Sequence, residues 1–78
     1  MNTGIEVHMT LPAAEANAFE QSLREQLRLA LQDLWYQDRF RQVPAGLRTG
    51  AILAQYPALA AQRTTLVALK AAQREQRA

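Results

Sequence analysis

The sequence has no cysteine and only one histidine, which removes most of the side chains that ligate metals or act as nucleophiles. Without cysteine there is no disulfide, no thiolate metal site and no cysteine nucleophile. With three glycines, the chain contains no phosphate-binding loop of the G-x-x-x-x-G-K or G-x-G-x-x-G type. We therefore expect neither a metal nor a cofactor.

Titratable residues are also too few and too scattered for a catalytic centre. The seven acids follow no Ser-His-Asp, His-Glu-x-x-His or paired-carboxylate pattern. A substrate pocket of roughly 300 Å³ or more is difficult to build within so short a chain. The sequence thus predicts a protein that is not an enzyme.

Residues that favour β-strands are sparse, and aromatic residues make up 6% of the chain. Its 78 residues include 15 Ala and 11 Leu, which are strong helix formers. No apolar run approaches the ~20 residues that a bilayer-spanning helix requires, and no secretory leader is visible. We expect an all-α cytoplasmic protein, and eight arginines against one lysine suggest a bacterial or phage genome.

Residues 1–10 differ from the rest of the sequence. Ile5, Val7 and Met9 alternate with polar residues, a pattern that is typical of a strand, but no second strand is predicted to pair with them. The dipeptide His8-Met9 is also common where cloning leaves extra residues. We expect this segment to be extended or disordered, flexible or tag-derived, and to precede a single helical domain over residues 11–78.

A long helix is predicted from Ala13 to about Phe40, since no Gly or Pro interrupts that stretch. At 100° per residue, one face forms an apolar core stripe, whereas Leu29, Tyr36 and Phe40 lie on the opposite side. Residues on the stripe are Ala16, Phe19, Leu23, Leu27, Ala30, Leu31 and Leu34. A helix with two apolar faces is usually buried on both.

Two further helices follow after a break. Val43-Pro44 begins a short helix that ends at Tyr56, because Pro57 cannot continue it. A third helix is predicted over residues 57–76. The sequence therefore predicts a helical hairpin or a small three-helix bundle, with an acidic first part and a basic last part.

The best candidate for a binding surface is the segment 34–41, where three of the five aromatic residues are interleaved with two arginines. Trp, Tyr and Arg are enriched at binding hot spots. We predict a non-enzymatic interaction module, such as an assembly factor, co-chaperone, adaptor or inhibitor, that binds a protein partner or self-associates. The predicted contact residues are Leu29, Trp35, Tyr36, Arg39, Phe40, Ile52 and Tyr56.

An alternative is a small regulator that binds DNA or RNA through Arg39, Arg41 and Arg48 with Tyr36 and Phe40. Its overall charge of +2 is low for such a protein. In size and helical layout the chain resembles the small helical-hairpin co-chaperones of bacterial secretion needles, a resemblance that rests only on amphipathic helices rich in Leu, Arg and Gln.

Overall fold

The structure is a computed structural model that describes residues 3–77, and this part of the chain contains four helices and no strand. The predicted all-α fold is therefore confirmed. The helices are α1 (Ala13–Trp35), α2 (Asp38–Arg41), α3 (Ala45–Gln55) and α4 (Pro57–Arg77).

Helix α1 begins directly after Pro12, as the sequence predicts. Pro12 has φ −56° and ψ 149°, and its carbonyl oxygen accepts the first helical hydrogen bond from the amide of Ala16 at 2.9 Å. Glu15 lies in the first turn, where its negative charge interacts favourably with the helix dipole.

Helix α1 ends at Trp35 rather than at Phe40, so the prediction of one uninterrupted helix is wrong. Gln37 is extended, with φ −67° and ψ 146°, and it separates α1 from the single turn of α2. In a continuous helix Phe40 would point about 140° away from Leu27 around the helix axis, on the side opposite the core stripe. The break redirects the chain and buries Phe40, whose exposed fraction is 2%.

The two later helices lie close to their predicted positions. Pro44 precedes α3, and Tyr56, with φ −126° and ψ 86°, separates α3 from α4. Helix α4 runs back along α1 in the antiparallel direction, and near its end Gln73 Nε2 donates a hydrogen bond to Asn17 Oδ1 at 2.7 Å. Helix α3 packs against both long helices.

The core is small for a chain of this length. Helix α4 is 21 residues long, yet none of its residues is buried. Its inward side chains, among them Leu59, Leu66 and Leu69, are half-buried because α4 packs mainly against one neighbour. The buried residues are Ala16, Leu23, Leu27, Phe40, Ile52 and Leu53.

The N-terminal segment over residues 3–12 has no helix or strand, in agreement with the prediction of an extended segment. The alternating apolar side chains of Ile5, Val7 and Met9 are 90%, 72% and 68% exposed. The prediction for residues 1 and 2 lies outside the described residues.

Gly50 lies in the interior of α3, and a Cβ built on it meets no heavy atom within 4 Å. We expect Gly50→Ala to stabilise the chain by about 0.5–1 kcal/mol, because alanine loses less backbone entropy in a helix. Urea unfolding followed by circular dichroism would measure the gain. A loss of stability would instead mean that another molecule packs closely against this glycine.

Candidate interaction surface

Phe40, in the segment between α1 and α3, and Tyr56, at the end of α3, form an aromatic cluster. The Arg39 guanidinium lies over both rings. The rings of Phe40 and Tyr56 lie 6.4 Å apart between centroids, with 50° between their planes. The Arg39 guanidinium lies 5.4 Å from the Phe40 centroid and 5.3 Å from the Tyr56 centroid. It also donates a hydrogen bond to Tyr56 Oη. Arg39 thus joins α2 to the start of α4.

Arg48 holds the turn between α1 and α3 together. Its Nη1 donates to the Trp35 carbonyl at 3.3 Å, and its Nη2 donates to the Arg41 carbonyl at 3.0 Å. Nε and Nη2 both donate to the Val43 carbonyl, at 3.1 and 2.9 Å. The guanidinium lies 4.8 Å from the centroid of the Trp35 ring. Trp35 and Arg41 are the last residues of α1 and α2, and Val43 lies just beyond α2, so no intrahelical donor reaches their carbonyls.

Two of the predicted contact residues belong to the chain's own core. Phe40 is 2% exposed and Ile52 is 0% exposed. Both were predicted to contact a partner, with burial of Phe40 in the bundle as the alternative. In the structure the turn at Tyr36 and Gln37 directs Phe40 inward, and α3 packs Ile52 against the long helices. Neither residue is available to a partner.

The other predicted contact residues remain at or near the surface. Leu29 is 46% exposed and Tyr36 is 74% exposed. Trp35 and Tyr56 are half-buried beneath Arg48 and Arg39 respectively. Tyr36 directly follows the last residue of α1, and its spacing of seven residues from Leu29 places the two about 20° from each other around the helix axis. We call these two side chains the Leu29–Tyr36 surface.

Sequence reasoning missed several surface features. Leu47 and Val67 are 67% and 59% exposed, and Phe19, which was assigned to the core stripe, is 39% exposed. A groove of about 450 Å³ also lies between the N-terminal segment, the start of α1 and the end of α4, with Leu11, Leu69 and Gln73 among its lining residues. No periodicity within a single helix indicates this groove, because separate elements build it.

Within residues 3–77, three arginines form ion pairs along the surface with acids three or four residues away. Arg24 contacts Glu20 at 2.6 Å and Arg28 contacts Glu25 at 2.6 Å. Arg41 contacts Asp38 at 3.3 Å. Pairs of this kind on exposed helix surfaces contribute little to stability, but they neutralise the cations that take part.

The hydrogen bond from Arg28, together with its positive charge, lowers the pKa of the Glu25 carboxyl below the ordinary glutamate value of 4.5. A lowered folded-state pKa gives stability that is present above the unfolded pKa and is lost as the pH falls. We expect an NMR titration to show Glu25 protonating below pH 4.5, and Arg28→Gln to return it toward that value. An unchanged midpoint in Arg28→Gln would contradict the assigned cause.

Within residues 3–77 no group of three or more His, Asp or Glu side chains is placed to hold a metal ion. No helix in that range combines the length and apolar character needed to cross a membrane. Comparisons with known protein families, with curated proteins and with solved structures give no significant match.

Proposed function

We propose that this chain is a non-enzymatic helical interaction module that self-associates through the Leu29–Tyr36 surface. The roles consistent with such a module are those of an assembly factor, a co-chaperone, an adaptor or an inhibitor. Of the seven predicted contact residues, Leu29 and Tyr36 form this surface. Phe40 and Ile52 lie in the core, and Trp35, Arg39 and Tyr56 make contacts with arginine or aromatic side chains of the same chain.

One observation carries the proposal, namely the ratio of exposed to buried apolar side chains. Beyond the N-terminal segment, five large hydrophobic side chains are exposed and the same number are buried, alongside the small Ala16. Single exposed apolar residues are common on monomers. A short chain with so small a core, however, gains stability when a second molecule buries these side chains. The exposed ones beyond the N-terminal segment are Phe19, Leu29, Tyr36, Leu47 and Val67.

The Leu29–Tyr36 surface is favoured over the other exposed residues because of its composition. Tyr36 is the one aromatic residue that the structure places mainly in solvent within residues 3–77. Tyrosine buries a large area and loses little side-chain entropy, and it is enriched at binding hot spots. In a two-fold association the same surface is used on both copies, so each contact would be buried twice.

The nucleic-acid alternative depended on Arg39, Arg41 and Arg48, and the structure engages all three within the chain. Arg39 donates to Tyr56, Arg41 is paired with Asp38, and Arg48 bonds three backbone carbonyls. Using Arg48 to bind phosphate would cost the hydrogen bonds that hold the turn. We therefore do not propose binding by this arginine–aromatic cluster.

The experiment is to replace Leu29 and Tyr36 together by alanine and to measure mass by sedimentation equilibrium. We expect the double variant to be a monomer of about 8.7 kDa with unchanged helical circular dichroism, because neither side chain is part of the core. The wild-type chain is expected to have a mass that is a multiple of this value.

The matched control replaces Leu47 and Val67 by alanine, two residues that are exposed to a similar extent on α3 and α4. This control removes comparable apolar surface and should keep the wild-type mass. Equal loss of assembly in both double variants would show that general hydrophobicity, rather than the Leu29–Tyr36 surface, drives association. Loss of helix in the Leu29 and Tyr36 variant would place these residues in the structural core instead.

A further inference from the structure

The outer side of α4 has an unusual concentration of cations without partners. Arg63, Lys70, Arg74 and Arg77 are all exposed, and within residues 3–77 their side chains have neither an ion pair nor a hydrogen bond. The other arginines in that range are all engaged by an acid, a tyrosine hydroxyl or backbone carbonyls. The positive charges without an ion pair or hydrogen bond are therefore concentrated on α4.

These four side chains form a line rather than a scatter. At 100° per residue they lie within a sector of about 60° around α4, and at 1.5 Å per residue they span about 21 Å along it. Val67, Lys70, Ala71 and Arg74 also line one shallow depression of about 170 Å³. We call this surface, defined by Arg63, Lys70, Arg74 and Arg77, the α4 basic stripe.

The helix dipole accounts for the positions of only two of the four cations in the stripe. Arg74 and Arg77 lie in the last turn of α4, where positive charge stabilises the helix end. Arg63 and Lys70 lie too far from that end to interact with it, because the effect is confined to the last turn. Close cations repel one another on a helix surface, so their alignment indicates an anionic partner.

A second copy of the chain is a poor partner for the stripe. Three of the α1–α2 acids, Glu20, Glu25 and Asp38, are already paired with neighbouring arginines. Glu15 and Asp33 are the remaining acids of α1, and 18 residues of helix, about 27 Å, separate them. Glu75 of α4 is the third helix acid without an ion pair within residues 3–77. Three carboxylates scattered over two helices are a poor match for four cations aligned along about 21 Å.

A membrane surface is also a poorer fit. An interfacial helix inserts an apolar face into the lipid while its cations remain at the headgroups. The apolar face of α4, with Leu59, Leu66 and Leu69, packs against α1, and Val67 is the exposed apolar side chain beside the stripe. The stripe therefore has charge without an insertion face.

We infer that the α4 basic stripe binds the phosphate backbone of a nucleic-acid duplex without reading its sequence. Three of the four cations are arginines, whose planar guanidinium groups match phosphate oxygens. A DNA duplex carries one charge per ~1.7 Å of axis, which supplies phosphates along the whole stripe. No aromatic residue lies among residues 57–77, so bases of a single strand would have nothing to stack on. This inference concerns a different helix from the proposed self-association, and it stands or falls independently.

The test is fluorescence polarisation of the full chain with a random-sequence DNA duplex between 50 and 200 mM salt. Four phosphate contacts predict a slope of log K against log salt near about −3.6, which is about a 10²-fold loss of affinity over that range. The triple variant R63Q, K70Q and R74Q retains one of the four contacts. We therefore expect its slope to become shallower, from about −3.6 to about −0.9.

The matched control is the triple variant R24Q, R28Q and R41Q, which lowers the net charge equally but removes ion-paired arginines. It should retain most of the wild-type slope. Equal weakening in both triple variants would overturn the inference, since net charge alone would then explain binding. So would the absence of binding at 50 mM salt, or stronger binding to phosphatidylserine vesicles than to the duplex.

Discussion

Replacing Phe40 by alanine is expected to destabilise the chain by about 3–5 kcal/mol, the usual cost of truncating a buried phenylalanine. Phe40 and Ile52 are the two largest fully buried side chains within residues 3–77, and the Phe40 ring packs against that of Tyr56. A chain of this size has a total unfolding free energy of roughly 4–12 kcal/mol. Phe40→Ala therefore removes a large share of that free energy, and we expect its unfolding midpoint in urea, followed by circular dichroism, to fall far below that of the wild-type chain.

The matched control is Tyr36→Ala, an aromatic residue four positions earlier that is 74% exposed. It should change the unfolding free energy of the isolated chain by less than about 0.5 kcal/mol. If the two variants unfolded at the same urea concentration, α1 would continue through Phe40 and the break at Gln37 would not exist in solution.

Replacing Arg48 by methionine is expected to destabilise the chain by about 2–3 kcal/mol. The guanidinium donates to three backbone carbonyls, those of Trp35, Arg41 and Val43. Hydrogen bonds that involve a charged group contribute about 1.5–3 kcal/mol each, and the partial exposure of Arg48 allows water to compensate for some of the loss. Urea unfolding followed by circular dichroism gives the measurement.

Arg48→Lys separates the shape of the side chain from its charge. Lysine keeps the positive charge but has no planar fork that can reach several carbonyls at once. We expect Arg48→Lys to lose most of the stability that Arg48→Met loses, whereas Arg41→Met, which removes an exposed ion pair, should lose under about 1 kcal/mol. Full stability of Arg48→Lys would mean that charge, rather than the carbonyl hydrogen bonds, accounts for the role of Arg48.

The sequence determined most helix positions because they depend on local features. Pro12, Pro44 and Pro57 each lie at or next to a helix start, where a fixed φ is compatible and the absent N–H costs nothing. Alanine and leucine fill the segments between them. The helical fold and the boundaries of α1 at its start, α3 and α4 could therefore be predicted from the chain alone.

The end of α1 could not be predicted in this way. Residues 36–41 contain no glycine or proline, and nothing local stops a helix there. The helix stops because Phe40 gains more from burial against Tyr56 than from continuing the helix, and because Arg48, thirteen residues beyond Trp35, bonds the freed carbonyl. Both causes are contacts between distant parts of the sequence.

The candidate interaction surface, like the helix boundaries, could be predicted only in part from local sequence. Periodicity grouped Leu29, Tyr36 and Phe40 because it assumed a continuous helix; in the structure Leu29 and Tyr36 are exposed, whereas Phe40 is buried. The arginines were predicted as a group with the aromatics, yet three-dimensional packing decides which of them remain free. Arg39 and Arg48 are engaged internally, and the free cations lie on α4.

Sedimentation velocity of the wild-type chain over a wide dilution series tests the central claim most directly. If two copies cover the apolar side chains that one copy leaves in solvent, the mass will be a multiple of 8.7 kDa at high concentration and will fall toward 8.7 kDa on dilution. A chain that stays at 8.7 kDa at every concentration, with full helical circular dichroism, would contradict self-association through the Leu29–Tyr36 surface.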